Sequence, residues 1–144
     1  MTITDEQIKA LPDRALSIRQ PWAWAILNAG KRIENRPRRF HYRGPICLHA
    51  SLYRNDKNYA ESSFDIYEAS GLDTPFDLDV RRGGIIGTAE IVDCIDQRND
   101  PWFFGPYGIV LENVQPVPFI PVKGALGLFN WRRNLREDTR RNGE

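Results

Sequence analysis

Residues 16–37 read LSIRQPWAWAILNAGKRIENRP, and the remainder of the chain is organised around them. Three pieces follow one another almost without spacer. Over residues 15–19, Leu16 and Ile18 alternate with Ser17 and Arg19, the period-two pattern of a half-buried strand with a polar outer face. Pro21 suits a first helical turn, where its missing N–H removes nothing, and Gly30 suits the position just past a helix end, so residues 21–29 predict a short helix. Trp22, Ala25, Ile26 and Ala29 fall on one stripe of that helix, the stripe expected to pack inward. Trp24 sits off it and is the better candidate for a ring that faces a ligand. Gly30-Lys31-Arg32-Ile33-Glu34-Asn35-Arg36 then places three cations, a carboxylate and an amide beside a glycine, with residues 33–36 short enough to be a brief strand.

Outward from this stretch the pattern is a mixture of short elements. Thr4-Asp5-Glu6-Gln7 has the form of a capping box and predicts a helix to about Leu11, where Pro12 stops it. Residues 45–51 alternate as a strand, with Tyr42-Arg43-Gly44-Pro45 as the preceding turn. Residues 55–70 carry Tyr59, Phe64 and Tyr67 at broadly helical spacing and end at Gly71, an expected amphipathic helix. The near-continuous apolar run 85–92 predicts a strand buried on both faces, residues 93–107 a long connection with Trp102 and Phe103 exposed, and residues 108–114 another strand. Residues 117–122 are interrupted by proline and read as an edge strand, because a prolyl nitrogen cannot donate to a central ladder. Five to six short strands with short helices and no alternating βαβ rhythm predict an α+β fold, a small mixed β-barrel with helices at its ends. One domain is expected over residues 1–144, with its core at about 14–131 and a charged, solvated tail at 132–144.

Net charge is +1, which excludes a generic polycation and makes the placement of charge the informative quantity. Residues 31–43 carry six Lys and Arg against one Glu, whereas residues 56–80 carry Lys57 against seven Asp and Glu. One positive and one negative face are expected. Cys47 and Cys94 are far apart in apolar contexts and read as buried free thiols in a reducing compartment. With no apolar run near membrane-spanning length and a polar N-terminus, a soluble cytoplasmic protein with no membrane partner is expected.

Several chemistries are disfavoured at this level. His41 and His49 have no His or Cys at ligand spacing, so no metal is expected, and nothing implies a cofactor. Ser17, Ser51, Cys47 and His49 are raw materials for nucleophilic catalysis without a nucleophile-elbow pattern. Gly83-Gly84-Ile85-Ile86-Gly87 precedes a strand and lacks the Lys-Ser/Thr of a phosphate loop. The Lys31 cluster differs in kind. A glycine that permits close approach, cations that grip phosphate, and neighbouring aromatic rings are what single-stranded nucleic acid requires. Glu34 among those cations reads either as a salt-bridge partner of Arg36 or Arg19, or as an acceptor of a proton or a base amino group.

The stretch 16–37 resembles the signature of the ASCH (activating-signal-cointegrator homology) family, in its Q-P-W strand end and its G-x-K-x-x-E-x-R-type loop. The resemblance extends more loosely to GGIIGTAEIVD at 83–93, YGIVLENV at 107–114 and PVKGALGLFNW at 121–131. It implies a PUA-like β-barrel whose charged loop lines a cleft between barrel and helices, and a nucleic-acid-associated role. In a branch resembling small amidohydrolases of acetylated cytidine, a lysine and a threonine of this loop and a distant glutamate do the work. Lys31 matches that lysine, and Glu34 stands about where the threonine would be. The loop looks closer to the cointegrator-like branch.

Three readings result. In the first, the chain binds RNA or DNA, with Lys31, Arg32 and Arg36 on phosphates, Arg38, Arg39 and Arg43 extending the track, and Trp24, Tyr42 or Trp102 as a stacking face. In the second, it is a hydrolase acting on a modified nucleoside or RNA, with Lys31 and Glu34 catalytic. In the third, Trp102, Phe103 and the acidic helix bind a protein partner whose identity the residues do not indicate.

Overall fold

The computed structural model describes residues 3–135. Its elements are α1 (Asp5–Ala10), β1 (Arg14–Ile18), α2 (Trp22–Asn28), β2 (Ile33–Arg36), β3 (Gly44–Ala50), α3 (Asp56–Ser70), β4 (Gly84–Ile95), β5 (Tyr107–Pro121) and β6 (Leu128–Asn130). The six strands form one sheet in the order β2-β5-β4-β3-β1-β6, curled into a half-barrel with short helices against it. This is the expected α+β architecture. Only β1 and β3 run parallel, and the 19–43 segment that joins them carries α2 and the charged loop.

Local chemistry accounts for the short helices. Thr4 Oγ1 accepts from the backbone N–H of Gln7 while Gln7 Oε1 accepts from that of Thr4, the reciprocal capping box that starts α1. At α2, Pro21 occupies the cap position, and the missing side-chain cap is supplied from one residue earlier. Gln20 Oε1 accepts from the Trp24 N–H at 2.9 Å, and its Nε2 donates to the Arg81 carbonyl. Gly30 follows α2 at φ 75°, a left-handed turn that redirects the chain and delivers Lys31 back beneath the helix, where its N–H reaches the Ala25 carbonyl.

Period-two alternation gives β1 two buried faces. Leu16 and Ile18 join Ile26, Ile46, Leu48, Ile91 and Ile109 under α2, whereas Ala15 joins Cys47, Ile85, Ile120, Val122 and Trp131 on the opposite side. Burial pushes the Cys47 thiol up to about 12, so it is a packing group and not a nucleophile. A third cluster joins Ala25, Ile33, Ile66 and Trp102.

Four local expectations need correction. Phe64 and Tyr67 of α3 are exposed, and the helix buries Tyr59 and Ile66, a seven-residue spacing that returns to the same face after two turns. Trp102 is 7% exposed within the third cluster, and the exposed ring of that loop is Phe104. The two strands expected at 108–114 and 117–122 are one bulged strand, β5. Its first residues pair with both β2 and β4, while its proline-bearing half pairs with β4 alone. Finally, the start of the charged tail is anchored. Trp131 is fully buried with Nε1 donating to the Pro12 carbonyl, and Arg132 donates to the carbonyls of Ile8, Lys9 and Leu11 and to Asp13. Residues 136–144 of the expected tail lie outside the described residues.

Because Trp131 links the segment after β6 to the α1–β1 turn, Trp131→Ala should lower the unfolding free energy by about 3–5 kcal/mol. Urea unfolding followed by far-ultraviolet circular dichroism checks this.

Candidate functional site

The carboxyl ends of the parallel pair β1 and β3, the strand β2, the start of α2 and the 123–127 loop surround a cleft of about 850 Å³. At its floor lies Lys31, 1% exposed. Its ammonium group donates to the Ile33 carbonyl and, at 3.1 Å, to Glu34 Oε1, and lies 5.4 Å from the centre of the Trp22 ring. Burial pushes the Lys31 pKa below its ordinary value, since the charged form loses solvation; Glu34 opposes this shift and Arg36 adds to it.

Glu34 joins two cations. Its Oε2 is 3.3 Å from Arg36 Nη2, which also donates to the Ser17 carbonyl at 3.0 Å. The side chain of Glu34 is 12% exposed, so the carboxylate stays accessible from the cleft. Arg36 Nε is buried without an acceptor among the described residues. Asn35 is spent on structure. Its Oδ1 accepts from the Phe104 and Gly105 N–H groups and its Nδ2 donates to the Trp102 carbonyl, which holds Phe104 at the rim.

The opposite wall follows from sheet register, which places Ser17 of β1 beside His49 of β3. His49 Nε2 lies 2.7 Å from the Val122 carbonyl and Nδ1 lies 3.0 Å from Ser17 Oγ. A carbonyl only accepts, so Nε2 carries the proton and Nδ1 takes the hydroxyl hydrogen of Ser17. Burial lowers the His49 pKa, in keeping with this neutral imidazole. Gly124 closes over the pair: a Cβ there would lie 2.7 Å from His49 Cε1 and 3.3 Å from Ser17 Oγ. Arg19 stacks on Tyr53, its guanidinium 3.8 Å from the ring centre, and Lys123, Ser51 and Leu52 complete the wall.

The model of the ASCH domain family matches residues 16–108. The chain belongs to the ASCH domain family. It is 26% identical over 119 residues to human activating signal cointegrator 1, an alignment that covers 76% of this chain and 20% of that protein. The chain thus matches about a fifth of that relative's length. The crystal structure of ASCH from Zymomonas mobilis superposes with a TM-score of 0.51 at 15% identity, covering 89% of this chain and 90% of that one. A tyrosine-to-phenylalanine mutant of the Zymomonas mobilis protein gives 0.50 at 14% identity, covering 90% of this chain and 94% of that one. At such identities the likeness is one of fold.

Within this ASCH fold the residues singled out by sequence are dispersed. Lys31, Glu34 and Arg36 line the cleft together. Arg32 turns back to cap α2, donating to the Ile26 and Lys31 carbonyls. Arg38 is exposed just beyond Pro37 of the rim. Arg39 pairs with Asp96 and covers Tyr107, and Arg43 approaches Asp93 at 3.9 Å. Tyr42 packs beneath Arg14 and donates to the Pro45 carbonyl. Trp24 faces a second depression, with Phe119 and Pro118, on the other side of α2. The tryptophan at the cleft is Trp22, from the stripe expected to be core. Sequence reasoning also passed over Arg19, Tyr53, Phe104 and Lys123. The polar positions of the 15–19 alternation are the one usable signal, since they include both Ser17 and Arg19.

The buried neutral His49 carries a pH signature. Its folded pKa lies below the unfolded value of 6.5, so the unfolded chain binds the proton more readily. The His49 contribution to stability is therefore complete above pH 6.5 and declines as pH falls towards the folded pKa, by at most about 1.4 kcal/mol per pH unit. Urea midpoints measured from neutral to mildly acidic pH should fall in the wild type, and His49→Gln should flatten that fall.

Proposed function

We propose that this ASCH domain binds single-stranded nucleic acid, RNA or DNA, in the cleft above Lys31. One observation carries the reading: Trp22, Tyr53 and Phe104 line the same cleft as Arg19, Arg36 and Lys123. Stacking on aromatic rings and charge pairing with phosphates are the two sources of affinity for an unpaired strand, and each is worth little if the two are far apart. Family membership and the likeness to activating signal cointegrator 1 support the assignment. Arg38 continues the positive rim outward, while Arg39 and Arg43, already facing Asp96 and Asp93, add less.

If Arg19, Arg36 and Lys123 each neutralise one phosphate, the log-log salt dependence of oligonucleotide binding should have a slope of about −2. Lys123→Ala should reduce that slope by about 0.7 and weaken binding to all sequences alike, whereas Arg39→Ala should leave it nearly unchanged. Fluorescence anisotropy with labelled oligonucleotides at several salt concentrations reads both. A complete lack of binding at low salt would overturn the proposal.

A second reading, a hydrolase acting on a modified nucleoside or RNA, is favoured by Lys31 itself. A buried lysine with a lowered pKa can serve as a base or nucleophile, and Glu34 at 3.1 Å can share its proton. Acetate release from N4-acetylcytidine by the wild type, lost in Lys31→Ala, is the expected outcome of that reading. Release that persists in the variant would remove it.

A further inference from the structure

We propose that the cleft selects guanine, with the Glu34 carboxylate reading the Watson–Crick edge of the base. This deepens the nucleic-acid reading above and rests on it. Among the described residues lining the cleft, Glu34 is the sole carboxylate, set within a wall that otherwise carries cations. Oε1 already accepts from Lys31 at 3.1 Å, and Oε2 lies 3.3 Å from Arg36 Nη2 in an ion pair. A carboxylate offers about four lone-pair sites, so one remains on each oxygen. The side chain is partly open to the cleft, and the two cations hold its plane in place, which prepares both oxygens for a bidentate partner.

The ligand must therefore combine an anion, for Arg19, Arg36 and Lys123, with two adjacent N–H donors, for Glu34. Among the ordinary bases guanine alone provides such a pair, N1–H beside the N2 amino group. Adenine and cytosine present one amino group next to a bare ring nitrogen, whose lone pair would oppose a carboxylate oxygen. Uracil and thymine present a single N–H between two carbonyls. A site built from a buried acceptor pair rejects a ligand that leaves it unpaired more strongly than it rewards a fitting one. The neighbouring amide cannot take over the selection, because all three polar hydrogen-bonding contacts of Asn35 go to the 102–105 turn. Trp22, beside Lys31, and Phe104, on the rim, supply apolar faces for the plane of the base.

The test compares otherwise identical U-rich RNA hexamers whose central base is guanine, inosine, adenine or uracil, by fluorescence anisotropy at low salt. Guanine should bind about tenfold to a hundredfold more tightly than adenine or uracil, with inosine, which lacks the N2 amino group, between them. Inosine requires no change in the protein, so this arm is independent of folding. Glu34→Gln, checked for an unchanged thermal transition, replaces one acceptor with a donor, which can meet N1–H and O6 of guanine and inosine alike but not N1–H beside the N2 amino group; it should abolish the preference for guanine over inosine. Equal binding of all four hexamers, or a preference for guanine over inosine that survives Glu34→Gln, overturns the guanine assignment while leaving the nucleic-acid reading standing. Failure of every hexamer to bind overturns both.

Discussion

An ammonium group taken out of water costs several kcal/mol unless ion pairing and hydrogen bonds offset it, and Lys31 is buried at the floor of a cleft. That cost constrains everything near it. Its position follows from the left-handed turn at Gly30, its hydrogen bonds from the first residues of β2, and its counter-ion from Glu34 three residues on. Arg36, in turn, is held by Glu34 and by the Ser17 carbonyl, so the charged cluster joins the β2 edge of the sheet to β1. Deleting Glu34 would leave the buried Lys31 without its carboxylate and Arg36 without its ion-pair partner, which is more costly than the pair is stabilising.

The parallel pairing of β1 and β3 is the second constraint. It brings the ends of both strands to the same edge of the half-barrel and places Ser17 beside His49. The chain between them must cross over, and that crossover contains α2, Lys31 and β2. The site is therefore built where topology forces a long connection, and the 123–127 loop closes the remaining side through Gly124. Rigid sheet edges hold the polar groups, whereas the aromatic rings come from the start of α2 and from loops. That division suits a ligand with a fixed polar pattern and a plane that can settle on a ring face.

Much of the fold was legible because its signals are local. The Thr4 capping box, the Gly30 stop, the Gly71 stop after α3, and the alternation in β1 and β3 depend on neighbours within a few residues. The errors also have a common cause. Spacing groups Phe64 and Tyr67 with Tyr59, and the length of the 93–107 connection suggests an exposed Trp102, yet which side of a helix or loop meets the core is decided by partners far along the chain. Likewise β5 could not be recognised as one strand, since its bulges are registered against β4.

For the site, the sequence alone determined which residues share the Gly30–Arg36 loop and that Lys31, Glu34 and Arg36 are close, because three- and two-residue separations leave them little choice. Tertiary structure decided the rest. It turned Arg32 back onto α2, paired Arg39 with Asp96, and put Trp22 at the cleft while Trp24 faces a separate depression. It also brought Arg19, Tyr53, Phe104 and Lys123 to the same opening from four separate parts of the chain. The physical reason is one of range. Capping, turns and short ion pairs act over a few residues, whereas the direction a ring or a cation faces is set by packing and charge partners that only the folded sheet brings near.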